Sequence, residues 1–340
     1  MSWERARSLA AGRGGVWSLL VVRGGQTLFE ERQGCGPDDL FYSFSVTKPF
    51  TALAVHLLAH RGQLDLDAPL ADHWPGYARH GKGAITPRQV LSHSAGVPLS
   101  SRWLAVDMVA LRSWRWSVWL AAHARPRTPP GAVFEYHVLS FGVILGEVVR
   151  RVDGRMIDRF LADEFFTPLG LEHCHLALPK GLEDRAVKLR PANRDDKLTT
   201  DGLNHHRQRR AVSPASSLQA TARDLADFYG VLLRDGRTPA GQVIPAEVIA
   251  AARRRASPDL PRFGTGFQLG GMGSRAHPDS FGHNGSDVCA VWADPSRDLV
   301  IVYCSDWFHP GEASWLHVGL VMDAVLEAVD AGPAAGPAVD

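Results

Sequence analysis

Residues 41–50 read FYSFSVTKPF, and the tetrapeptide Ser45-Val46-Thr47-Lys48 inside them sets a serine three positions ahead of a lysine. A chain with 22 serines and 5 lysines among 340 residues carries Ser-x-x-Lys by chance about once in three shuffles, so the tetrapeptide alone decides little. The residues after it are more telling. Apolar side chains recur at Phe50, Leu53, Ala54, Leu57 and Leu58, the spacing of a buried helix that Ser45 would open. Residues three apart share a helix face, which brings the Lys48 amine beside the Ser45 hydroxyl. The helix N-terminus adds a positive partial charge and free N–H groups that favour an oxyanion. Pro49 is tolerated because it falls in the first turn. Two readings stand at this point: a nucleophile with its base, or a serine N-cap beside a solvated lysine.

The chain is 45% hydrophobic with a formal net charge of +1, long enough for one large domain or two smaller ones, and its charge balance points to neither nucleic acid nor membrane as partner. The basic run His205-His206-Arg207-Gln208-Arg209-Arg210 reads as a solvated loop. The first apolar run, Val16–Val22, is too short for a signal segment or a membrane span, and the expectation is a cytoplasmic protein. Cys35, Cys174, Cys289 and Cys304 show no close pairing, in keeping with reduced thiols. His173-Cys174-His175 lacks a second ligand cluster, so no metal is expected.

Two β-rich segments bracket a helical middle. Val16–Val22 and Gln26–Glu31 flank Arg23-Gly24-Gly25 as a hairpin. Phe281–Gly282, Asp287–Trp292 and Leu299–Cys304 read as strands, and Gly311–Ala331 as a closing helix with its apolar face at Trp315, Val318, Leu320, Val321, Val325 and Val329. Strands from both termini then share one antiparallel sheet flanked by N- and C-terminal helices. Helical patterns such as Thr86–Ser92 and Ser140–Val152 fill the middle. This predicts an α+β sandwich forming a single domain over residues 1–330, with a sheet lobe at about 1–64 and 221–330, an inserted, mainly helical lobe at about 65–220, and a disordered tail at 331–340.

Four further segments follow Ser45–Ala52 in order: Gly62–Leu70, Ile85–Gly96, Tyr136–Gly142, and Phe281–Gly285 with Trp292–Pro295 behind it. Their joint occurrence over about residues 15–325 strongly resembles the serine β-lactamase and penicillin-binding-protein-like superfamily, in particular its class C β-lactamase-related esterases and peptidases. The resemblance implies the β-lactamase/transpeptidase-like fold, Ser45 as nucleophile, Lys48 as its partner and Tyr136 as the tyrosine of the Tyr-x-Asn element. It sets His283-Asn284-Gly285 in the place of Lys-Thr-Gly. The chemistry is coherent: a neutral serine hydroxyl needs a base, and a tyrosine beside an ammonium has its phenolate favoured. The backbone N–H groups of Ser45 and Ser286 would form the oxyanion hole, with Gly285 letting substrate approach the strand closely.

The departures bear on substrate. Val138 stands where many members have asparagine and offers a substrate amide no hydrogen bond. His283, mostly neutral near pH 7, anchors a carboxylate more weakly than lysine. Together with His137 and Ser140, these changes lean towards an esterase branch. Trp103, Trp114, Trp116 and Trp119 crowd the stretch before Tyr136, either walling an apolar acyl or alcohol pocket or packing a helix into the lobe. The expected function is hydrolysis of small-molecule carboxylic esters through an acyl-enzyme, without cofactor. A β-lactamase, D-amino-acid peptidase or acyltransferase on the same scaffold is the alternative enzyme, and a non-turnover binding protein the alternative of another class.

Overall fold

The computed structural model describes residues 3–257, 262–309 and 311–332. Its main sheet is antiparallel throughout, with strands in the spatial order Gln26–Gln33, Trp17–Arg23, Leu299–Ser305, Cys289–Asp294, Phe281–Gly285 and Gln268–Leu269. The first hairpin thus lies against the last strands of the chain, as the two β-rich ends predict. The fold is mixed α and β.

Along Trp17–Arg23 all but the last residue are buried, because both faces of the sheet are covered. Side chains on a strand alternate between faces, and the alternation sorts them into two cores. Leu20 and Val22, with Val291, Val300 and Val302, meet the large core shared with the helices Thr47–His60, Ser140–Asp153 and Ala222–Leu233. Trp17, Leu19 and Val21, with Trp292, Ile301 and Tyr303, meet Glu4–Ala11 and the closing helix Glu312–Asp330. No helix among the described residues is long and apolar enough to cross a membrane.

One local expectation, that of the arginine-rich run, is corrected, and the ends of the chain and the cysteines gain detail. The polar N-terminal stretch contains the helix Glu4–Ala11, which buries only Ala6 and Ala10. The arginine-rich run is no solvated loop: His206–Arg209 is helical, and Arg209 is buried, donating to Gln219 Oε1 (3.0 Å), Val187 O (2.7 Å) and Asn204 Oδ1 (2.9 Å) over the face of the Tyr42 ring. Cys289 and Cys304 face each other across neighbouring strands as buried free thiols, their sulfurs 3.4 Å apart. Ala331 caps the closing helix, and the stretch expected as a disordered tail lies, from residue 333, outside the described residues.

Candidate active site

Ser45 does not cap its helix. It sits in a single 3₁₀ turn, Phe44–Val46, that runs directly into the helix Thr47–His60. The turn is tied from behind: Ser43 N–H donates to Leu218 O (2.8 Å), Thr47 Oγ1 to Phe44 O (2.6 Å), and Leu218 N–H to Thr47 Oγ1 (3.0 Å). Phe44 enters it at φ 44°, a left-handed conformation costly for a residue with a Cβ, held by its ring packing between Tyr42 and Phe308. The first N–H groups of such a turn have no partner within it, and among the described residues the Ser45 amide meets no acceptor elsewhere.

Lys48, one turn on, is buried, with Nζ 3.1 Å from Ser45 Oγ, 2.9 Å from Val138 O and 3.2 Å from Ala215 O. Among the described residues no carboxylate pairs with it, and burial pushes the amine down to about 7. Carbonyl oxygens only accept, so Val138 O and Ala215 O take two N–H bonds. The third direction of the nitrogen faces Ser45 and carries a lone pair when the amine is neutral. Gly142 makes part of this possible: a Cβ there would lie 2.3 Å from Ala215 N, so the helix Ser140–Asp153 admits the Ala215 segment only without a side chain.

Tyr136 lies over this pair, its ring centroid 4.8 Å from Lys48 Nζ and its hydroxyl 3.5 Å from His283 Nε2. Burial pushes its phenol upward, only partly opposed by a hydrogen bond with Ser45. The expected phenolate is therefore disfavoured here, and the neutral amine is the stronger candidate base. His283 Nδ1 donates to Asn284 O (2.8 Å), which leaves Nε2 as an acceptor facing the tyrosine. Burial, with the Lys48 charge, pushes His283 down to about 3, so it is neutral at working pH.

The strand Phe281–Gly285 delivers Ser286 to the same place. A Cβ on Gly285 would lie 2.1 Å from Ser43 O, so the glycine serves the packing of this strand on the Ser45 turn before it serves any substrate. Beyond it, Asp287 N–H donates to Asn284 Oδ1 (3.2 Å) and Val288 N–H to Gly285 O (3.0 Å), with Ser286 left-handed at φ 50°. Among the described residues the Ser286 N–H meets no acceptor, and Ser286 and Ser45 line one cavity.

Two expected substrate contacts, His137 and Asn284, are corrected. His137 is fully buried, with Nδ1 on Glu135 O (2.6 Å) and Nε2 accepting from Val97 N–H (3.2 Å), so it builds the loop that carries Tyr136. The Asn284 side chain holds Asp287 and shapes the turn. Val138 lines the cavity, but its carbonyl does the polar work, on Lys48. One residue went unassigned: His93, left-handed at φ 57°, packs on Tyr136 at 4.5 Å between centroids and accepts the His137 N–H at Nδ1 (3.1 Å). Its only sequence signal was its place in the Leu91-Ser92-His93-Ser94 segment.

The cavity at Ser45, about 330 Å³, is walled by Tyr42, Phe44, Leu104, Met108, Leu111 and Phe308, with Asp196 and Gln208 among its few polar groups. The tryptophans are not among its walls. Trp114 packs inward and donates to Glu147 Oε2 (3.0 Å), whereas Trp103, Trp116 and Trp119 face solvent. Among the described residues no three His, Cys, Asp or Glu side chains gather as a metal would need.

Comparison with known proteins bears on this geometry. The β-lactamase family model matches residues 5–320. An esterase/β-lactamase of Mycobacterium tuberculosis, LipL, is 28% identical over 75% of this chain, which spans 66% of that relative's length. The crystal structure of a family VIII carboxylesterase superposes with TM-score 0.81 at 26% identity, covering 95% of this chain and 96% of its own. That of a penicillin-binding protein homologue from Caulobacter crescentus does so with TM-score 0.79 at 25% identity, covering 95% and 97%.

Proposed function

The chain belongs to the β-lactamase family and is a hydrolase of that family, and we propose that the bond it cleaves is a carboxylic ester, by way of an acyl-enzyme on Ser45. The observation that carries the reading is the Lys48 amine, pinned by two carbonyls with its third direction on Ser45 Oγ at 3.1 Å. A neutral amine so held is a general base at ordinary pH.

Ser45 Oγ adds to the ester carbonyl as its proton passes to Lys48. The oxyanion gathers the N–H groups of Ser45 and Ser286. Collapse expels the alkoxide, which takes a proton from Lys48 directly or through the Tyr136 hydroxyl, and leaves the acyl group on Ser45. Water then adds to that acyl carbonyl, losing its proton to the same amine, and the acid departs as Ser45 recovers its hydrogen.

The ester preference rests on what surrounds these atoms. An amide needs its nitrogen protonated and benefits from a side-chain amide that would hold it; Val138 supplies none. A β-lactam carboxylate finds neutral His283 in place of a cation. The cavity walls suit an apolar acyl or alcohol group. Two of the similar proteins above are an esterase/β-lactamase and a carboxylesterase, which accords with the reading.

The test is a panel of short and long p-nitrophenyl esters, a chromogenic cephalosporin and D-alanyl peptides, with Ser45→Ala as control. In parallel, an activated phosphonate is followed by intact-mass spectrometry. One adduct on the Ser45 peptide, and ester turnover lost in Ser45→Ala, is the expected result. Labelling elsewhere, or cephalosporin turnover equal to ester turnover, overturns it.

A further inference from the structure

Six of the ten large apolar side chains that the described residues expose fall between 103 and 119: Trp103, Leu104, Val106, Val109, Trp116 and Trp119. They belong to the short helices Leu104–Ala110 and Trp114–His123 and the residue that opens the first of them. That first helix wears its polarity inside out, because Asp107 is on its buried face and Val106 and Val109 on its exposed one. A patch of this kind marks a surface that meets something apolar.

Charge narrows what that is. Residues 99–127 hold five arginines and a single acid, Asp107, whose carboxylate is buried and accepts the Ser100 N–H at 2.7 Å. Arg102, Arg115 and Arg125 are exposed and have no carboxylate partner among the described residues. Arg102, Trp103, His123 and Arg125 line a second cavity of about 640 Å³. Trp103 belongs to that basic cavity and Leu104, its neighbour, to the cavity of Ser45. These two neighbouring residues thus join a cavity lined by cationic side chains to the cavity of the nucleophile.

Solvent-facing tryptophans beside unpaired arginines are the composition that seats in the headgroup region of an anionic bilayer, the rings at the acyl boundary and the guanidinium groups on phosphate. We propose that the face formed by Leu104–Ala110 and Trp114–His123 docks on an anionic lipid surface and presents the mouth of the Ser45 cavity to it. The amphiphilic ester would then enter from the lipid. The docking stands on the surface alone; the entry of an ester rests on the ester-cleaving reading.

The experiment is co-sedimentation of the Ser45→Ala protein with vesicles of phosphatidylglycerol and phosphatidylcholine in equal parts, against pure phosphatidylcholine. Binding is expected to anionic vesicles, to fall as salt is raised, and to weaken about tenfold or more in Arg102→Glu/Arg125→Glu and in Trp103→Ser/Trp119→Ser. With Ser45 restored, both variants should keep hydrolysis of a water-soluble p-nitrophenyl ester within about twofold, which also reports that they fold. Protein left in the supernatant at every anionic fraction overturns the proposal. So does equal sedimentation with neutral vesicles, or a dimer in analytical ultracentrifugation that Trp103→Ser/Trp119→Ser dissolves, which would assign the face to a second copy. Failure of docking leaves soluble ester hydrolysis intact, and failure of the ester reading leaves vesicle binding by Ser45→Ala intact.

Discussion

Lys48 Nζ stands 3.1 Å from Ser45 Oγ, and its remaining hydrogen-bond directions are spent on Val138 O at 2.9 Å and Ala215 O at 3.2 Å. Burial holds the amine at about 7, so its basic form grows as pH rises through that value. The profile of kcat/KM, which reports the free enzyme, is expected to climb through about pH 7 to a plateau. His283, held at about 3, is neutral over the whole range and adds no second limb near neutrality. A profile flat from pH 5 to pH 9 in a stopped assay, with the chemical step limiting, would remove Lys48 from the role of base.

The same burial gives a stability prediction. In the folded protein Lys48 releases its proton near 7, whereas in the unfolded chain it does so near the ordinary 10.5. Between those values the unfolded state binds more protons, so this group makes the fold more stable as pH rises and withdraws that support as pH falls towards 7. Lys48→Met removes the dependence. Its melting temperature relative to wild type should therefore be highest at and below pH 7 and decline by pH 10, while activity is lost at every pH. The cost relieved at pH 7 is on the order of a few kcal/mol, reduced by the two carbonyls left without a donor. Equal pH slopes for the two proteins would show that the amine is not held neutral.

Gly285 and Ser43 make a third test. A Cβ on residue 285 would stand 2.1 Å from Ser43 O and 3.2 Å from Cys289 O, both main-chain atoms with no rotamer to yield. Gly285→Ala must push the Phe281–Gly285 strand off the Ser45 turn and carry the Ser286 amide with it. Displacing one oxyanion donor costs about 10²–10³ in kcat, so a loss of that order is expected in a variant that still melts cooperatively. Near-normal kcat would mean that the Ser286 N–H is not where the oxyanion forms.

The central strands Trp17–Arg23, Cys289–Asp294 and Leu299–Ser305 were legible as apolar runs bounded by turn signals, and the closing helix through Val318, Val321, Val325 and Val329; the two-residue edge strand Gln268–Leu269 left no such mark, and Leu320, expected on that helix's apolar face, is exposed. Glu4–Ala11 was not legible, since Ala6 and Ala10 are all it buries and alanine leaves little mark on periodicity. Ser45, Lys48 and Tyr136 could be read from their motifs and do come together. The state of Lys48 could not, because it depends on carbonyls 90 and 167 residues away along the chain. His137 and Asn284 stand inside motifs that touch the site, and only the fold shows that their side chains face away to hold it. The tryptophans misled for a related reason: spacing identifies a common face but not whether that face looks inward.

Val138 gives the last prediction, because it bears on which bond is cut. Its carbonyl is fixed by Lys48, so its position beside the nucleophile is set by the backbone and should survive a change of side chain. That side chain lines the cavity at Ser45, where an asparagine would offer a substrate amide both a donor and an acceptor. One added polar contact is worth about 1–3 kcal/mol to a substrate that uses it, or roughly ten- to a hundredfold in rate. A simple ester has no amide to engage and loses some apolar contact instead. Wild-type kcat/KM for short p-nitrophenyl esters is therefore expected to exceed that for a chromogenic cephalosporin, and Val138→Asn to narrow the ratio from both sides. The neutral His283 remains in the variant, so the cephalosporin should gain in turnover without gaining a carboxylate anchor, and the ratio should not invert. A ratio unchanged by Val138→Asn would place the preference elsewhere in the cavity, and a cephalosporin favoured already by the wild type would overturn the ester reading.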